Sequence, residues 1–174
     1  MGCGHGCDVE YFTKQKSKVV GLDISKELLA LAKKRVPEAN LVEGSFESLD
    51  FPDKTFDLIY SRYALQHSKS LEETFSEAAR VLKSKGDFLF LVTHPLRQFI
   101  EKKGENYWVK ELIESEILNK TVRVKEYSYT FEEYCSPKIL KNFTLEQCTE
   151  EFDRESAQIK GIYPGYLIMH YKKR

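Results

Sequence analysis

Apolar and polar positions alternate in blocks along the first half of the chain. A helix is predicted from about Asp8, with Val9 and Phe12 spaced for one buried face. Val19 to Leu22 is a short apolar, strand-like run that stops at Asp23. Ser25 then caps a helix in which Leu28, Leu31, Ala32 and Val36 form one stripe, and Pro37 ends it. Asn40 to Glu43 reads as a second strand turned by Gly44, and Phe56 to Ser61 as a third. Leu71, Phe75, Ala78 and Leu82 share one face of the next helix, with Gly86 placed as its C-cap. Phe88 to Thr93 (FLFLVT) is continuously apolar, the pattern of a strand covered on both faces. Alternating strands and helices predict a parallel sheet wrapped by helices.

The pattern changes after Thr93. Pro95 to Leu118 is charged and aromatic, with helical spacing in its second half, and reads as an inserted cap. Thr121 to Tyr127 alternates Val122 and Val124 as a short strand does. Thr130-Phe-Glu-Glu133 is a capping box and Ser136-Pro137 a second start signal, so two short helices are predicted. Leu145 to Phe152 and Gly165 to Tyr171 supply two further strands, an antiparallel C-terminal hairpin. The predicted fold is α/β: a Rossmann-like, twisted, mostly parallel sheet with helices on both faces.

The 174 residues suffice for one domain with a sizeable core. Lys+Arg and Asp+Glu balance at 27 each, so no net field draws the chain to nucleic acid or to an anionic membrane. No apolar run approaches the ~20 residues of a membrane span, and no signal-peptide pattern opens the chain. Four cysteines (Cys3, Cys7, Cys135, Cys148) are too sparse for a disulfide framework, and the expected setting is cytoplasmic, with reduced thiols. Cys3-Gly-His5-Gly-Cys7 lacks a second ligand pair at zinc-like spacing, so no metal is expected.

Chemistry enters with Gly2, Gly4 and Gly6, which alternate just before a helix. Without Cβ atoms the backbone can pass close to a bulky or charged ligand, and the helix N-terminus presents free N–H groups. Asp23 lies at the carboxyl end of the next strand, 17 positions after Gly6. An acid there is placed to accept hydrogen bonds from ribose hydroxyls; the plainer alternative is a capping partner of Ser25. In the first case, replacing Asp23 should weaken ligand binding and leave the melting temperature of the ligand-free protein nearly unchanged.

A dinucleotide fingerprint requires G-x-G-x-x-G, but position 7 is Cys7. The observed spacing resembles the first motif of the class I S-adenosylmethionine-dependent methyltransferases, in particular the small-molecule type with one compact domain. Val20-Gly-Leu-Asp-Ile-Ser25 resembles the second motif, and Glu43-Gly-Ser-Phe46 with Leu49-Asp-Phe-Pro52 the third. Phe56 to Ser61 through Tyr63-Ala-Leu-Gln-His67 resembles the fourth, and Arg80 to Lys83 with Gly86 and the following strand the fifth. The resemblance covers residues 1 to about 93 in order; beyond that it is one of architecture alone.

It implies one domain over 1–174: a cofactor-binding half (1–93), a substrate cap with short helices (94–142) and C-terminal strands (143–174). It implies S-adenosylmethionine as cofactor, with Gly2, Gly4 and the backbone of Cys3 lining its methionine end. Asp23 would hold the ribose, Ile24 an adenine face, Ser45 and Phe46 the adenine edge, and Ser61 the sulfonium end. Where the family often has Asp, this chain has Ser45, a weaker acceptor for the exocyclic amine. Arg62, Tyr63 and His67 would face the substrate, with Tyr63 and His67 as candidate catalytic residues and His94 a further candidate base. Tyr63 and His67 are four apart, which on a helix is equally the spacing of a structural pair. Tyr107 belongs to an aromatic group with Trp108, Tyr127, Tyr129, Phe131 and Tyr134 that either roofs a substrate pocket or packs a core.

The implied function is methyl transfer to a small-molecule acceptor, governed by positioning more than by acid–base chemistry. Two other readings stand beside it: a methyltransferase-fold remnant acting as a binding module, and a nicotinamide-dependent oxidoreductase. A glycine loop of this kind is fed by a strand, and only Met1 precedes Gly2. The expectation is therefore a fragment of a longer enzyme whose central strand is absent, leaving either a gap or a sheet closed by its neighbours.

Overall fold

The structure is a computed structural model that describes residues 1–102, 106–117, 122–152 and 163–174. Leu118, Thr121 and residues 103–105, which carry part of the predicted cap, lie outside the described residues.

The first half follows the sequence pattern closely. Gly6 opens α1 (Cys7–Lys14), Ser25 caps α2 (Lys26–Arg35) by accepting from Leu28 N–H at 3.2 Å, and Ser70 caps α3 (Leu71–Val81) through Glu73 N–H. β1 (Val20–Asp23) and β2 (Asn40–Glu43) pair in parallel from Val20–Asn40 to Asp23–Glu43. β3 (Phe56–Arg62) pairs in parallel with β4 (Leu82–Thr93). The second sheet continues antiparallel through β8 (Tyr166–Lys173) to β7 (Phe143–Glu151), giving the order β3-β4-β8-β7.

Phe75 on α3 organises the core of that sheet. Its ring meets those of Phe90, Phe143 and Tyr171 edge-on at 5.6–5.8 Å, and all four side chains are fully buried. On β4, Phe88, Phe90 and Val92 are buried while Leu89 and Leu91 are half-buried. The continuous apolar run is therefore sealed on one face and only partly covered on the other.

Two local expectations are corrected. Gly86 does not cap α3. The helix ends at Val81 and runs directly into β4, and residues 83–86 bulge between the Phe56–Leu82 and Leu58–Asp87 pairs. Lys85 takes φ 61° there, and a Cβ on Gly86 would stand 2.9 Å from the Lys83 carbonyl oxygen, so glycine serves a strand bulge. The second half of the cap segment is not helical either. The helix is α4 (Pro95–Glu101), and Leu112–Ile117 is a strand, β5, antiparallel to β6 (Val122–Tyr127). Ile113 and Ser115 are buried while Leu112 and Glu114 are exposed, a period of two that decides for a strand.

This hairpin is pinned beside the end of β4 by buried polar groups. Glu126 accepts from Ser115 Oγ at 2.7 Å and from Thr93 Oγ1 at 3.1 Å, and Gln98 on α4 donates to the Tyr127 carbonyl at 3.0 Å. The predicted short helices follow as α5 (Phe131–Tyr134), with its capping box complete, and α6 (Pro137–Asn142).

β1 and β3 are not paired with each other among the described residues. A cavity of about 930 Å³ lies between them, lined by Val20, Leu22, Leu58 and Tyr60 and by Val9 and Phe12 of α1. Met1 to Cys3 cross its carboxyl-end rim: the Met1 amino group donates to the Tyr60 carbonyl at 2.7 Å and Cys3 N–H to the Leu22 carbonyl at 2.9 Å. Burial lowers the affinity of that amino group for its proton, against the attraction of nearby acidic groups including Asp23. Arg62 ties the same rim from β3 to α1, meeting Asp8 through Nε at 3.2 Å and Nη2 at 3.1 Å.

Candidate active site

The carboxyl ends of β1, β2 and β3 carry the residues singled out in the sequence. Gly2, Gly4 and Gly6 all have positive φ (64°, 51° and 88°), the left-handed region that side chains resist. At Gly2 the chain passes so close to Ala64 that an added Cβ would sit 2.2 Å from the alanine methyl. Above Gly4 there is open space, with nothing within 4 Å of an added Cβ among the described residues.

Asp23 fastens this loop to β1. One carboxylate oxygen accepts from Gly4 N–H at 2.8 Å and the other from Ser25 N–H at 3.0 Å, and the residue is 8% exposed. The Ser25 bond is the capping contact that the plainer reading of Asp23 expects, and each carboxylate oxygen keeps acceptor capacity beyond its backbone bond. Ile24, beside it, is 72% exposed, an unusual position for a β-branched apolar side chain next to a buried acid. Burial, reinforced by the charge of Asp23, pushes the Cys3 thiol up to about 11, so it is not a thiolate at neutral pH.

β2 delivers Ser45 and Phe46 to the same end, with Gly44 N–H bonded to the Asp23 carbonyl at 3.0 Å. Ser45 Oγ donates to Glu47 Oε2, a partner that the sequence reading missed; its signal was only a serine and a glutamate two apart after a strand. β3 delivers Ser61, which is 1% exposed and whose Oγ has no hydrogen-bond partner among the described residues. Arg62 is engaged with Asp8, a partnership with no local sequence signal because 54 residues separate the two.

Tyr63 and His67 do not share a helical face. Tyr63 turns through φ 52° and only Leu65–His67 forms a 3-10 turn. His67 Nδ1 stands 2.7 Å from the Lys125 carbonyl on β6. A carbonyl only accepts, so Nδ1 carries a proton, and the neutral tautomer that fits this contact has its lone pair on Nε2. His94 is built differently: buried, it accepts from Leu96 N–H at Nδ1 (3.0 Å) as the cap of α4 and donates from Nε2 to Glu150 at 2.9 Å. Tyr107 accepts from Phe131 N–H at 2.8 Å and packs edge-on against Trp108. The aromatic group divides, with Tyr129 and Tyr134 in the core and Trp108 71% exposed.

Residues 1–90 match the family model for a methyltransferase domain. The chain belongs to that family.

Among its relatives, an uncharacterized methyltransferase of Bacillus subtilis, YcgJ, is 37% identical over 99 residues, covering 54% of this chain and 39% of the relative. A demethylmenaquinone methyltransferase of Symbiobacterium thermophilum is 31% identical over 160 residues, covering 87% of this chain and 62% of the relative. The methyltransferase-family chain thus spans less than two thirds of either relative's length. In fold it matches an S-adenosylmethionine-dependent methyltransferase of Mesorhizobium loti with a TM-score of 0.79 at 23% identity, covering 99% of this chain and 88% of that one. The family is that of the methyltransferase domain, and the fold is the one seen in S-adenosylmethionine-dependent methyltransferases, α/β with an antiparallel C-terminal hairpin. Among the described residues no helix is long and apolar enough to cross a membrane.

Proposed function

We propose that this chain binds S-adenosylmethionine at the carboxyl ends of β1 to β3 and transfers its methyl group to a small-molecule acceptor. The observation that carries the reading is the pairing of Asp23 with the Gly4 N–H beneath open space, a cradle that a Cβ at position 4 would begin to fill. Gly2, Gly4 and the Cys3 backbone would line the methionine end. The Asp23 carboxylate would receive the ribose hydroxyls on its remaining lone pairs. The exposed Ile24 would cover one adenine face, with Ser45 and Phe46 at its edge, and the unpartnered Ser61 hydroxyl would face the sulfonium end.

When bound, the cofactor supplies an electrophilic methyl carbon on a sulfonium whose departure leaves a neutral thioether. The protein's own work is then alignment and exclusion of water. Where the acceptor is a hydroxyl or an ammonium, His67 Nε2 is the group placed to take its proton, because Lys125 holds the tautomer that leaves it free. Tyr63, Arg62 and Tyr107 would border the acceptor. His94 has both ring nitrogens engaged within the fold, which favours His67 as base. A small acceptor is supported by relatives named demethylmenaquinone methyltransferase and sarcosine/dimethylglycine N-methyltransferase.

Calorimetric titration of S-adenosylmethionine into the purified chain tests the cofactor reading, with saturable one-to-one binding expected. A folded chain that takes up none would point instead to a binding module built on the same fold. Once an acceptor is known, His67→Ala should reduce kcat/KM less than Gly4→Val does; the opposite order would make acid–base chemistry dominant over positioning.

A further inference from the structure

We propose that Glu47, acting through Ser45, is the positioning residue that makes this site select a purine carrying a 6-amino group. The proposal rests on the cofactor reading above. Ser45 lies two residues beyond β2, at the strand end where Gly44 N–H is bonded to the Asp23 carbonyl. Its hydroxyl has one proton, and that proton is given to Glu47 Oε2. One of its lone pairs receives Glu47 N–H at 3.3 Å, which leaves the other for a ligand. A hydroxyl whose proton is committed to a carboxylate can only accept. It therefore welcomes an exocyclic amine and rejects a carbonyl oxygen at the same place.

Glu47 is held so that it cannot turn away. Its second oxygen accepts from Ser68 Oγ and from Lys69 N–H, each at 2.8 Å, and Ser68 is itself fully buried against Thr74. Burial works against the charged form of Glu47, but the hydrogen bonds from Ser45, Lys69 and Ser68 outweigh it and hold the carboxyl below the ordinary range. The carboxylate thus joins the loop after β2 to the loop after β3 and fixes which way the Ser45 proton points.

Glu47→Gln isolates this role. The amide oxygen can still accept from Ser68 and Lys69, so the loop connection survives. The amide NH₂ faces Ser45, donates into its lone pair and frees its proton, which turns the hydroxyl from acceptor to donor. The experiment measures, by calorimetry, the affinities of S-adenosyl-L-homocysteine and S-inosyl-L-homocysteine for the unsubstituted chain and for Glu47→Gln. The unsubstituted chain should prefer the adenosyl ligand, and the variant should lose about tenfold of that preference, the scale of one hydrogen bond. Ser45→Asp combined with Glu47→Gln should restore the preference by placing a carboxylate directly at the edge. An unchanged preference in Glu47→Gln, or an equal weakening of both ligands, would overturn the proposal and leave Glu47 as a loop support. Failure of the unsubstituted, folded chain to bind the adenosyl ligand would overturn the cofactor reading and this inference with it.

Discussion

The Asp23 carboxylate receives the Gly4 N–H at 2.8 Å, and this bond holds the glycine loop against the end of β1. Its other oxygen receives Ser25 N–H at the start of α2, so one buried side chain joins loop, strand and helix before any ligand arrives. Two backbone donors depend on it, which corrects the expectation that its replacement would leave the ligand-free protein untouched. Asp23→Ala should lower unfolding free energy by about 1.5–3 kcal/mol and weaken S-adenosylmethionine binding as well. Chemical denaturation without ligand and calorimetry with it read the two effects separately. A stability equal to that of the unsubstituted chain would show that water replaces both bonds without loss.

Gly2 and Gly4 form a matched pair for separating strain from crowding. Both have positive φ, so alanine at either costs about 1–2 kcal/mol in backbone conformation. At Gly4 the added methyl meets open space, whereas at Gly2 it would meet the Ala64 methyl at 2.2 Å and displace the turn that carries Tyr63. Gly2→Ala should therefore be the more destabilising in urea unfolding, while Gly4→Ala should show its larger relative effect in cofactor affinity. Equal losses of stability would mean that the Ala64 turn yields freely.

Acid should act on the loop that follows β2. Glu77 is held below the ordinary carboxylate range by its hydrogen bonds to Arg80, helped by one from Leu49 N–H at 2.8 Å, and against burial. Its folded-state value lies below the unfolded one. The stability it contributes is therefore present above the ordinary carboxylate range and is lost as pH falls through the folded value. Arg80 extends the same contact to the carbonyls of Leu49 and Phe51 at 2.6 and 2.7 Å. Glu77→Gln should cost about 1–2 kcal/mol at neutral pH and should flatten the fall of stability on acidification. A variant whose acid limb parallels that of the unsubstituted chain would remove Glu77 from the account.

The cavity between β1 and β3 lies between two strands that each have a ladder partner on one side only among the described residues. An apolar segment of ~5–6 residues joined through the Met1 amino group would enter parallel to both strands and exchange a buried ammonium for an amide. Such an extended variant should melt higher and bind S-adenosylmethionine more tightly than the 174-residue chain. A polar segment of equal length that stabilises just as well would count against strand insertion.

Most of residues 1–93 was legible because local signals and tertiary structure agree there. Serine caps at positions 25 and 70, single apolar stripes on α2 and α3, and short strands ending at Asp23 and Glu43 each lie within a few residues of their cause. The glycine loop and Asp23 could be picked out for the same reason, since alternating glycines before a helix and an acid at a strand end are themselves local patterns. What failed was decided by partners far along the chain. Gly86 resembles a helix cap locally, yet the pairing of β4 with β3 places it in a bulge against the Asp57 carbonyl. Leu112 to Ile117 fits two periods, and pairing with β6, together with the buried Ser115–Glu126 bond, selects the strand.

The partners of Arg62, His67 and His94 lie 54, 58 and 56 residues away, so no spacing announced them. By itself the sequence determined which segments turn, cap and alternate, because those preferences act over three or four residues. Only the tertiary structure decided which proton each polar side chain gives and to whom, because a hydrogen bond is set by distance in space.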